Sequence, residues 1–174
     1  MFSYFILYFS FYSFMGWIGE VIYAYKNQKK FVNRGFLHGP FCPMYGACMI
    51  TIVMLCKKFA NLNPLQFFIV ATILTAIIEY LTGFTLEKLF NQKWWDYTED
   101  PFNLHGRICL HFSLMFGMLS TIGVKFVHPI VVFIFNNLNP NFLLFLFYFL
   151  TIYLFIDFIS TLFSLIEKDK RATN

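Results

Sequence analysis

The segment from Asn63 to Phe90 most constrains the fold, because it is long enough to cross a bilayer and yet carries carboxylates. A membrane-spanning helix needs about 20 mostly apolar residues, and this segment provides them from Leu65 onward. On a helical wheel, one side is polar or small and the other is apolar. The polar or small side comprises Thr72, Thr75, Ala76, Glu79, Thr82, Gly83 and Glu87. The apolar side comprises Val70, Ile73, Leu74, Ile77, Leu81 and Phe84. Because a carboxyl group inside a bilayer costs about 3 kcal/mol or more, we expect Glu79 to face a bundle interior.

The composition extends this interpretation to the whole chain. Of the 174 residues, 59% are hydrophobic and 26 are phenylalanine, which is typical of a polytopic membrane protein and leaves no room for a soluble domain. We predict an all-α integral membrane protein of the cell membrane, with one transmembrane domain over residues 1–174. Its five predicted spans are Phe2 to Tyr25, Phe41 to Cys56, Leu65 to Phe90, Ile108 to Phe126, and Phe142 to Ile166.

A sixth apolar run, Ile130 to Phe135, is too short to cross a bilayer. It follows His128-Pro129 and precedes an asparagine-rich stretch. We expect it to form either an interfacial turn or a bent continuation of the fourth helix.

The lysines and arginines predict the orientation of the bundle. One side receives Lys26, Lys29, Lys30, Arg34, Lys88, Lys93, Arg107, Lys168, Lys170 and Arg171, and the other receives Lys57, Lys58 and Lys125. By the positive-inside rule, the N-terminus lies outside and the C-terminus is cytoplasmic. The net charge of +4 therefore reflects the basic residues that orient the helices, and it favours contact with anionic membrane lipid. It gives no indication of nucleic-acid binding.

The chain matches itself when it is shifted by 67 residues. The shift aligns Gly16 with Gly83, Glu20 with Glu87, Lys26 with Lys93, the two Leu-His-Gly triplets, and Cys42 with Cys109. This predicts two parallel helical hairpins, about residues 2–56 and 65–126, related by a pseudo-twofold axis along the membrane normal. The C-terminal helix, about residues 142–166, lies outside the repeat.

The two polar connections hold most of the candidate site residues. We predict a cytoplasm-facing pocket lined by Glu20, Glu79 and Glu87 with Arg34 and Arg107. In one interpretation the glutamates bind an ion or a charged solute; in the other, each is locked to an arginine or a tyrosine hydroxyl and holds helices together. The arginines likewise either clamp a phosphate or carboxylate or neutralise Glu20 and Glu87.

Three further features have two interpretations each. His38, Cys42, His105 and Cys109 form two H-x3-C pairs, which could provide a tetrahedral zinc set. In the alternative, a glycine ends each turn and each cysteine is simply small enough for close helix packing. Asp157 could bind a ligand or contact a symmetry mate. Trp94, Trp95 and Tyr97 are predicted interfacial anchors, with stacking on a ligand as the alternative.

Several motifs in fixed order carry a family resemblance. They are Gly16-Trp17-x-Gly19-Glu20, Asn33-Arg34-Gly35-Phe36-Leu37-x-Gly39-Pro40-x-Cys42-Pro43-x-Tyr45-Gly46, Glu79-Tyr80-x-Thr82-Gly83, Glu87-Lys88-Leu89-Phe90, Trp94-Trp95-Asp96-Tyr97, and Phe102-Asn103-x-x-Gly106-x-Ile108-Cys109. The chain is similar to the bacterial membrane proteins described as Putative ABC-transporter type IV, the CmpB-like family. The resemblance covers about residues 10–130, without the C-terminal helix, and adds Tyr80 and Asp96 to the candidate binding residues. It implies a small multi-pass protein with a role in transport.

Together these observations favour a permease or transporter component that binds a small charged solute or ion. One alternative is a membrane enzyme or lipid-handling protein that acts on headgroups; another is a noncatalytic assembly subunit. A homo-oligomer or a transporter partner subunit is compatible with each. The sequence assigns no catalytic residue or cofactor, and it contains no serine nucleophile motif or nucleotide-binding loop.

Overall fold

The computed structural model describes residues 2–58 and 62–173. This part of the chain is mainly helical and has almost no strand, which confirms the predicted all-α class. The helices are α1 (Phe2–Gln28), α2 (Pro43–Lys58), α3 (Pro64–Phe90), α4 (Leu110–Ile122), α5 (His128–Asn137) and α6 (Pro140–Thr173). Two short antiparallel strands, β1 (Asn103–Leu104) and β2 (Ile108–Cys109), pair Asn103 with Cys109 and Leu104 with Ile108.

Four stretches of the described chain are long and apolar enough to cross a membrane: Ser3–Gln28, Pro64–Phe90, Leu110–Asn137 and Pro140–Lys168. The second predicted span forms the shorter α2 instead, with its apolar part at Pro43–Cys56. Its 16 residues extend about 24 Å, less than the roughly 30 Å of a hydrocarbon core. The chain is thus a multi-pass membrane protein with four long helices and one short one.

The apolar run after Pro129 continues the fourth helix, and the alternative of an interfacial turn is wrong. A π-helical turn, Gly123–Val127, joins α4 to α5. There the His128 N–H donates to the Gly123 carbonyl, five residues back instead of the usual four. Proline lacks an N–H and its ring crowds the carbonyl four residues before it, so a widened turn just ahead of Pro129 lets the helix continue.

The chain forms two compact units. Unit 1 comprises the described residues up to Ala47 and from Asn137 onward, and unit 2 comprises Cys48–Asn136. The division falls within α2 and groups α6 with α1, so these units differ from the two predicted hairpins. However, α2 begins at Pro43 and α4 at Leu110, which are separated by the same 67 residues as the sequence repeat. This supports the repeat, which stays a prediction.

In unit 1, the connection between α1 and α2 runs back alongside α1. We call residues 29–42 the first loop. At its end, the Cys42 N–H donates to the Ser13 carbonyl at 2.9 Å. Because Ser13 lies 15 residues before Gln28, the first loop climbs about 22 Å along the helix. Glycine permits the contact between α1 and the start of α2, since a Cβ atom at Gly16 would lie 2.3 Å from the Tyr45 ring.

In unit 2, α3 and α4 also pack closely, because a Cβ atom at Gly117 would lie 1.9 Å from the Thr72 hydroxyl. The small side of α3 is buried at Ala71, Thr75 and Glu79. The opposite side is exposed, as the wheel predicts, at Ile73, Ile77, Leu81 and Phe84. The capping box at the start of α3, formed by Asn63 and Gln66, fixes where the helix begins.

Candidate functional site

Glu79 lies inside unit 2, as the helical wheel predicts, with only 2% of the residue exposed. The Tyr97 hydroxyl donates a hydrogen bond to its Oε1 at 3.1 Å. The Tyr97 ring stacks on Phe112, with the centroids 4.9 Å apart. Tyr97 comes from the connection between α3 and α4, residues 91–109, which we call the second loop. This loop therefore reaches back along α3 as far as the buried carboxylate.

The second loop also contacts α3 near its C-terminal end. Nε and Nη2 of Arg107 lie 2.9 and 2.8 Å from Oε2 of Glu87. The guanidinium stacks over the rings of Tyr80 and Phe84, at 5.4 and 5.3 Å from their centroids. The Tyr80 hydroxyl makes a 2.8 Å hydrogen bond with Nδ1 of His105. The interpretation that Arg107 neutralises Glu87 is confirmed, and stacking on two rings adds to the pair.

A comparable cluster lies in unit 1. Nε of Arg34 is 3.6 Å from Oε2 of Glu20, and the Tyr45 hydroxyl donates to Oε1 of the same carboxylate at 2.5 Å. The Arg34 guanidinium lies over the Tyr23 ring, 5.4 Å from its centroid. The interpretation that Arg34 neutralises Glu20 is therefore also confirmed.

Asn33 shapes the first loop, a role that the sequence analysis did not assign. Its Oδ1 accepts hydrogen bonds from the Trp17 indole at 2.9 Å and the Gly35 N–H at 3.0 Å. Its Nδ2 donates to the carbonyls of Leu37 and His38. One amide side chain thus joins α1 to three main-chain groups of the loop.

Asp157 on α6 binds the same loop from the other side. Its two carboxylate oxygens accept the N–H groups of His38 and Gly39, at 3.1 and 2.9 Å. The Thr161 hydroxyl oxygen also accepts from the His38 N–H, at 3.2 Å. The hydrogen bonds that Asp157 accepts are therefore from the main chain of its own unit.

Asp96 lies in the second loop and organises its turn. It accepts hydrogen bonds from the hydroxyl and N–H of Thr98 and from Nζ of Lys93, the last at 3.0 Å. These bonds, led by that of the Thr98 hydroxyl, hold the pKa of Asp96 at about 2, below its usual 3.8. Gly106 closes this turn with φ +67°, and a Cβ atom there would lie 2.7 Å from Oδ1 of Asp96. Asp96 thus interacts with the loop itself.

The candidate metal ligands have other contacts. Nδ1 of His105 bonds to Tyr80, whereas Nδ1 of His38 lies 4.0 Å from Oδ1 of Asp157. Cys42 and Cys109 are buried free thiols. Within residues 2–58 and 62–173, no group of three or more His, Cys, Asp or Glu side chains is placed to hold a metal ion. The zinc set stays a prediction of the sequence.

The candidate residues thus form separate clusters in the two units. Glu20 and Arg34 belong to unit 1, and Glu79, Tyr80, Glu87 and Arg107 belong to unit 2. The single pocket containing all three glutamates stays a prediction.

A family model described as Putative ABC-transporter type IV matches residues 7–162. The resemblance seen in the sequence is confirmed, but its predicted extent was too short. The match continues into α6, so the expectation that the C-terminal helix lies outside the family pattern is wrong. An apolar helix with few glycines, prolines and charges offers little for motif recognition, which explains the difference. No curated protein and no solved structure matches the chain.

Proposed function

We propose that this chain, which belongs to the Putative ABC-transporter type IV family, is a membrane-spanning transporter component. It would bind a proton or small cation at Glu79. Tyr97 would orient the carboxylate, and the two Glu–Arg pairs would hold the loops against their helices. By the distribution of basic residues, the clusters would be reached from the cytoplasm.

The observation that carries this proposal is a buried carboxylate that accepts a hydrogen bond from a loop running back along its own helix. Glu79 lies nine residues from Lys88 at the end of α3, or about 14 Å, which is roughly half of a 30 Å hydrocarbon core. The Tyr97 side chain of the second loop reaches that level. The loop itself passes Gly83, one turn nearer the end of α3, because a Cβ atom built there would lie 3.7 Å from Cβ of Arg107. Non-helical backbone at such a depth is tolerated only where it is buried in protein or lines a water-filled cavity.

One feature of the second loop favours a cavity. His105 is exposed, although its ring forms a hydrogen bond with Tyr80. Tyr80 directly follows Glu79 on α3. Ionisable groups inside membrane spans commonly mark ion or proton pathways, and broken helices commonly provide the binding site of transporters. An exposed imidazole bonded to the residue that follows a buried glutamate fits such a pathway better than contact with acyl chains.

The ion pairs would have a supporting role. Glu87 with Arg107, and Glu20 with Arg34, each join a helix to the loop that follows it. Truncating one partner leaves the other charge partly buried and unmatched, so such pairs hold segments in place even where their net contribution to stability is small. They would keep Tyr97 and the turns of both loops in register with the helices.

The test is ion flux into phosphatidylcholine proteoliposomes that contain a pH-sensitive dye. For cations other than protons a protonophore is added, so that protons compensate the cation's charge and the dye reports its movement. Gradients of protons, Na⁺, K⁺ and tetramethylammonium are imposed one at a time. We expect flux of at least one of these ions with the wild-type protein and its loss in Glu79→Gln, which keeps the shape of the side chain but removes its charge. Glu99→Gln is the matched control, because Glu99 is an exposed residue of the second loop. Equal flux in Glu79→Gln and the wild type would contradict the role of Glu79.

A pull-down in mild detergent tests the partner that an ABC-type system would need. We expect a stable partner with ATPase activity, and adding it with ATP to the proteoliposomes should increase flux. Recovery of the chain alone, together with flux that does not respond to ATP, would contradict the ABC-type arrangement while leaving a secondary transporter.

A further inference from the structure

We propose that the Leu37-His38-Gly39 turn of the first loop is a carboxylate-binding site that α6 occupies with Asp157, and that a small carboxylate solute exchanges with it. The site is separate from Glu79 and takes the opposite charge, so it extends the proposed function to a second ligand class.

The main-chain geometry of this turn indicates the ligand. Two successive N–H groups, of His38 and Gly39, converge on the two oxygens of one carboxylate, at 3.1 and 2.9 Å. Consecutive main-chain N–H groups pointing into a turn form an anion-binding concavity, and hydrogen bonds to an ionised acceptor are about twice as strong as neutral ones. Because each oxygen receives one N–H, the arrangement fits a planar carboxylate.

The surroundings form a built site. Asp157 is 8% exposed and Thr161 is 2% exposed, and both accept from the His38 N–H. Glycine is needed at position 39, because a Cβ atom there would lie 2.2 Å from the Tyr153 hydroxyl oxygen and 2.7 Å from Oδ2 of Asp157. The Asn33 side chain fixes the turn by bonding the Leu37 and His38 carbonyls. The turn is therefore shaped independently of its occupant.

The origin of the occupant favours exchange. Asp157 comes from α6, 119 residues along the chain from His38, whereas Asn33 is part of the loop itself. An intramolecular group that fills a preformed site acts as a tethered competitor, and an external carboxylate binds in proportion to the fraction of time for which the site is open. If Asp157 occupies the turn nine-tenths of the time, the apparent Kd for a free carboxylate rises about tenfold.

One amide resonance can report on the site in the full chain, and a second can serve as its control. Only two His-Gly pairs occur in the sequence, His38-Gly39 and His105-Gly106. Labelling histidine carbonyls with ¹³C and glycine with ¹⁵N therefore gives two His-Gly correlations, one from each loop. A His105→Gln sample assigns them, because it removes the second. The Gly106 N–H donates to Oδ1 of Asn103, so it provides the internal control.

The experiment titrates acetate into nanodiscs of phosphatidylcholine, whose headgroup has no carboxylate, with chloride at equal ionic strength as the comparison. In Asp157→Ala we expect acetate to move the Gly39 resonance saturably while Gly106 stays in place. In the wild type, we expect the same displacement with half-saturation at least about tenfold higher. If Asp157→Ala also displaces Gly106, Asp157→Asn replaces it, with expected half-saturation between those of the alanine variant and the wild type.

Three results would overturn the proposal. The first is a Gly39 resonance that does not move with acetate in either Asp157 variant. The second is an equal movement of that resonance with chloride. The third is a wild-type Gly39 resonance that does not move at about a hundred times the acetate concentration that saturates the variant. A second arm uses nanodiscs containing phosphatidylserine, whose headgroup carries a carboxylate. Displacement of Gly39 in Asp157→Ala without added acetate would support the site and assign its occupant to lipid.

Discussion

The two loops solve the same structural problem with different resources. Each follows a long helix, returns along it, and pairs an arginine with a glutamate of that helix. Each also places the glycine of a Leu-His-Gly turn against an aspartate, such that an added Cβ atom would lie 2.7 Å from a carboxylate oxygen. In the second loop this aspartate is Asp96 of the same loop, whereas in the first it is Asp157 of α6. Helix α6, outside the sequence repeat, therefore supplies what the first loop lacks.

The backbone conformations reflect this difference. The second loop holds Phe102, His105 and Gly106 at positive φ and contains the β1–β2 pair. In the first loop, Lys29 has a positive φ directly after α1, as Asn91 does directly after α3, but none of residues 30–42 does. Left-handed conformations cost a non-glycine residue about 1–2 kcal/mol, and local hydrogen bonds of Asn103 and Asp96 offset that cost in the second loop. We expect the second loop to stay packed by itself. The first loop keeps the shape of its turn through Asn33 but needs α6 to stay packed.

The largest expected effect comes from Gly106→Ala. An alanine at position 106 would have to adopt the left-handed backbone conformation of the glycine, and its Cβ atom would lie 2.5 Å from the Thr98 hydroxyl oxygen. Strain and overpacking together should destabilise the folded protein by about 2–5 kcal/mol, measured from the chemical denaturation midpoint in detergent micelles. Gly19→Ala is the control, because nothing lies within 4 Å of a Cβ atom at that position. A Gly106→Ala protein with the stability of the control would contradict a rigid second loop.

Asp157→Asn should have the next largest effect. The change removes the carboxylate charge that accepts the N–H groups of His38 and Gly39. It also turns the side-chain amide NH₂ of the new asparagine toward one of these two donors. The free energy of unfolding should fall by about 1–3 kcal/mol. The loss should expose the first loop to proteolysis at Lys29 and Lys30 and leave the second loop protected at Lys93. Asp96→Asn should do the reverse, with a smaller change in stability because Asp96 is exposed. Equal sensitivity of both loops to either variant would remove the distinction between them.

These contacts also indicate what the sequence can predict. The inward orientation of Glu79 follows from the periodicity of α3, and the two Glu–Arg pairs follow from placing basic loops beside acidic helix ends. The bond from Tyr97 to Glu79 depends on a loop that turns back along α3 at Asn91, a left-handed residue for which the sequence has no glycine signal. The contact between Asp157 and His38 joins positions 119 residues apart. No local pattern specifies such a contact, so it could not be anticipated.

The two arginines sharpen the comparison further. Arg107 makes two contacts below 3 Å with Glu87 and stacks on two rings, whereas Arg34 lies 3.6 Å from Glu20 and stacks on one. Lysine cannot reproduce the planar fork or its stacking, so Arg107→Lys should cost about 1–2 kcal/mol and Arg34→Lys less than about 1 kcal/mol. The denaturation midpoints of both variants, with Lys168→Arg as the surface control, provide the measurement. A larger loss for Arg34→Lys would reverse the ranking of the two clusters.

The smallest effect is a pH dependence confined to the second loop. Bonds from Thr98 and Lys93 depress the pKa of Asp96 to about 2, so its contribution to stability is fully present above the unfolded-state pKa near 3.9. That contribution decreases as the pH falls from about 4 through 2, where the folded state also takes up the proton. Because the folded-state pKa is about 2, the Gly106 amide resonance of the folded protein should keep its position from neutral pH to about 3 and move as the pH falls further. In Asp96→Asn the resonance should lose this low-pH displacement, and a displacement that persists would mean that another group controls the turn.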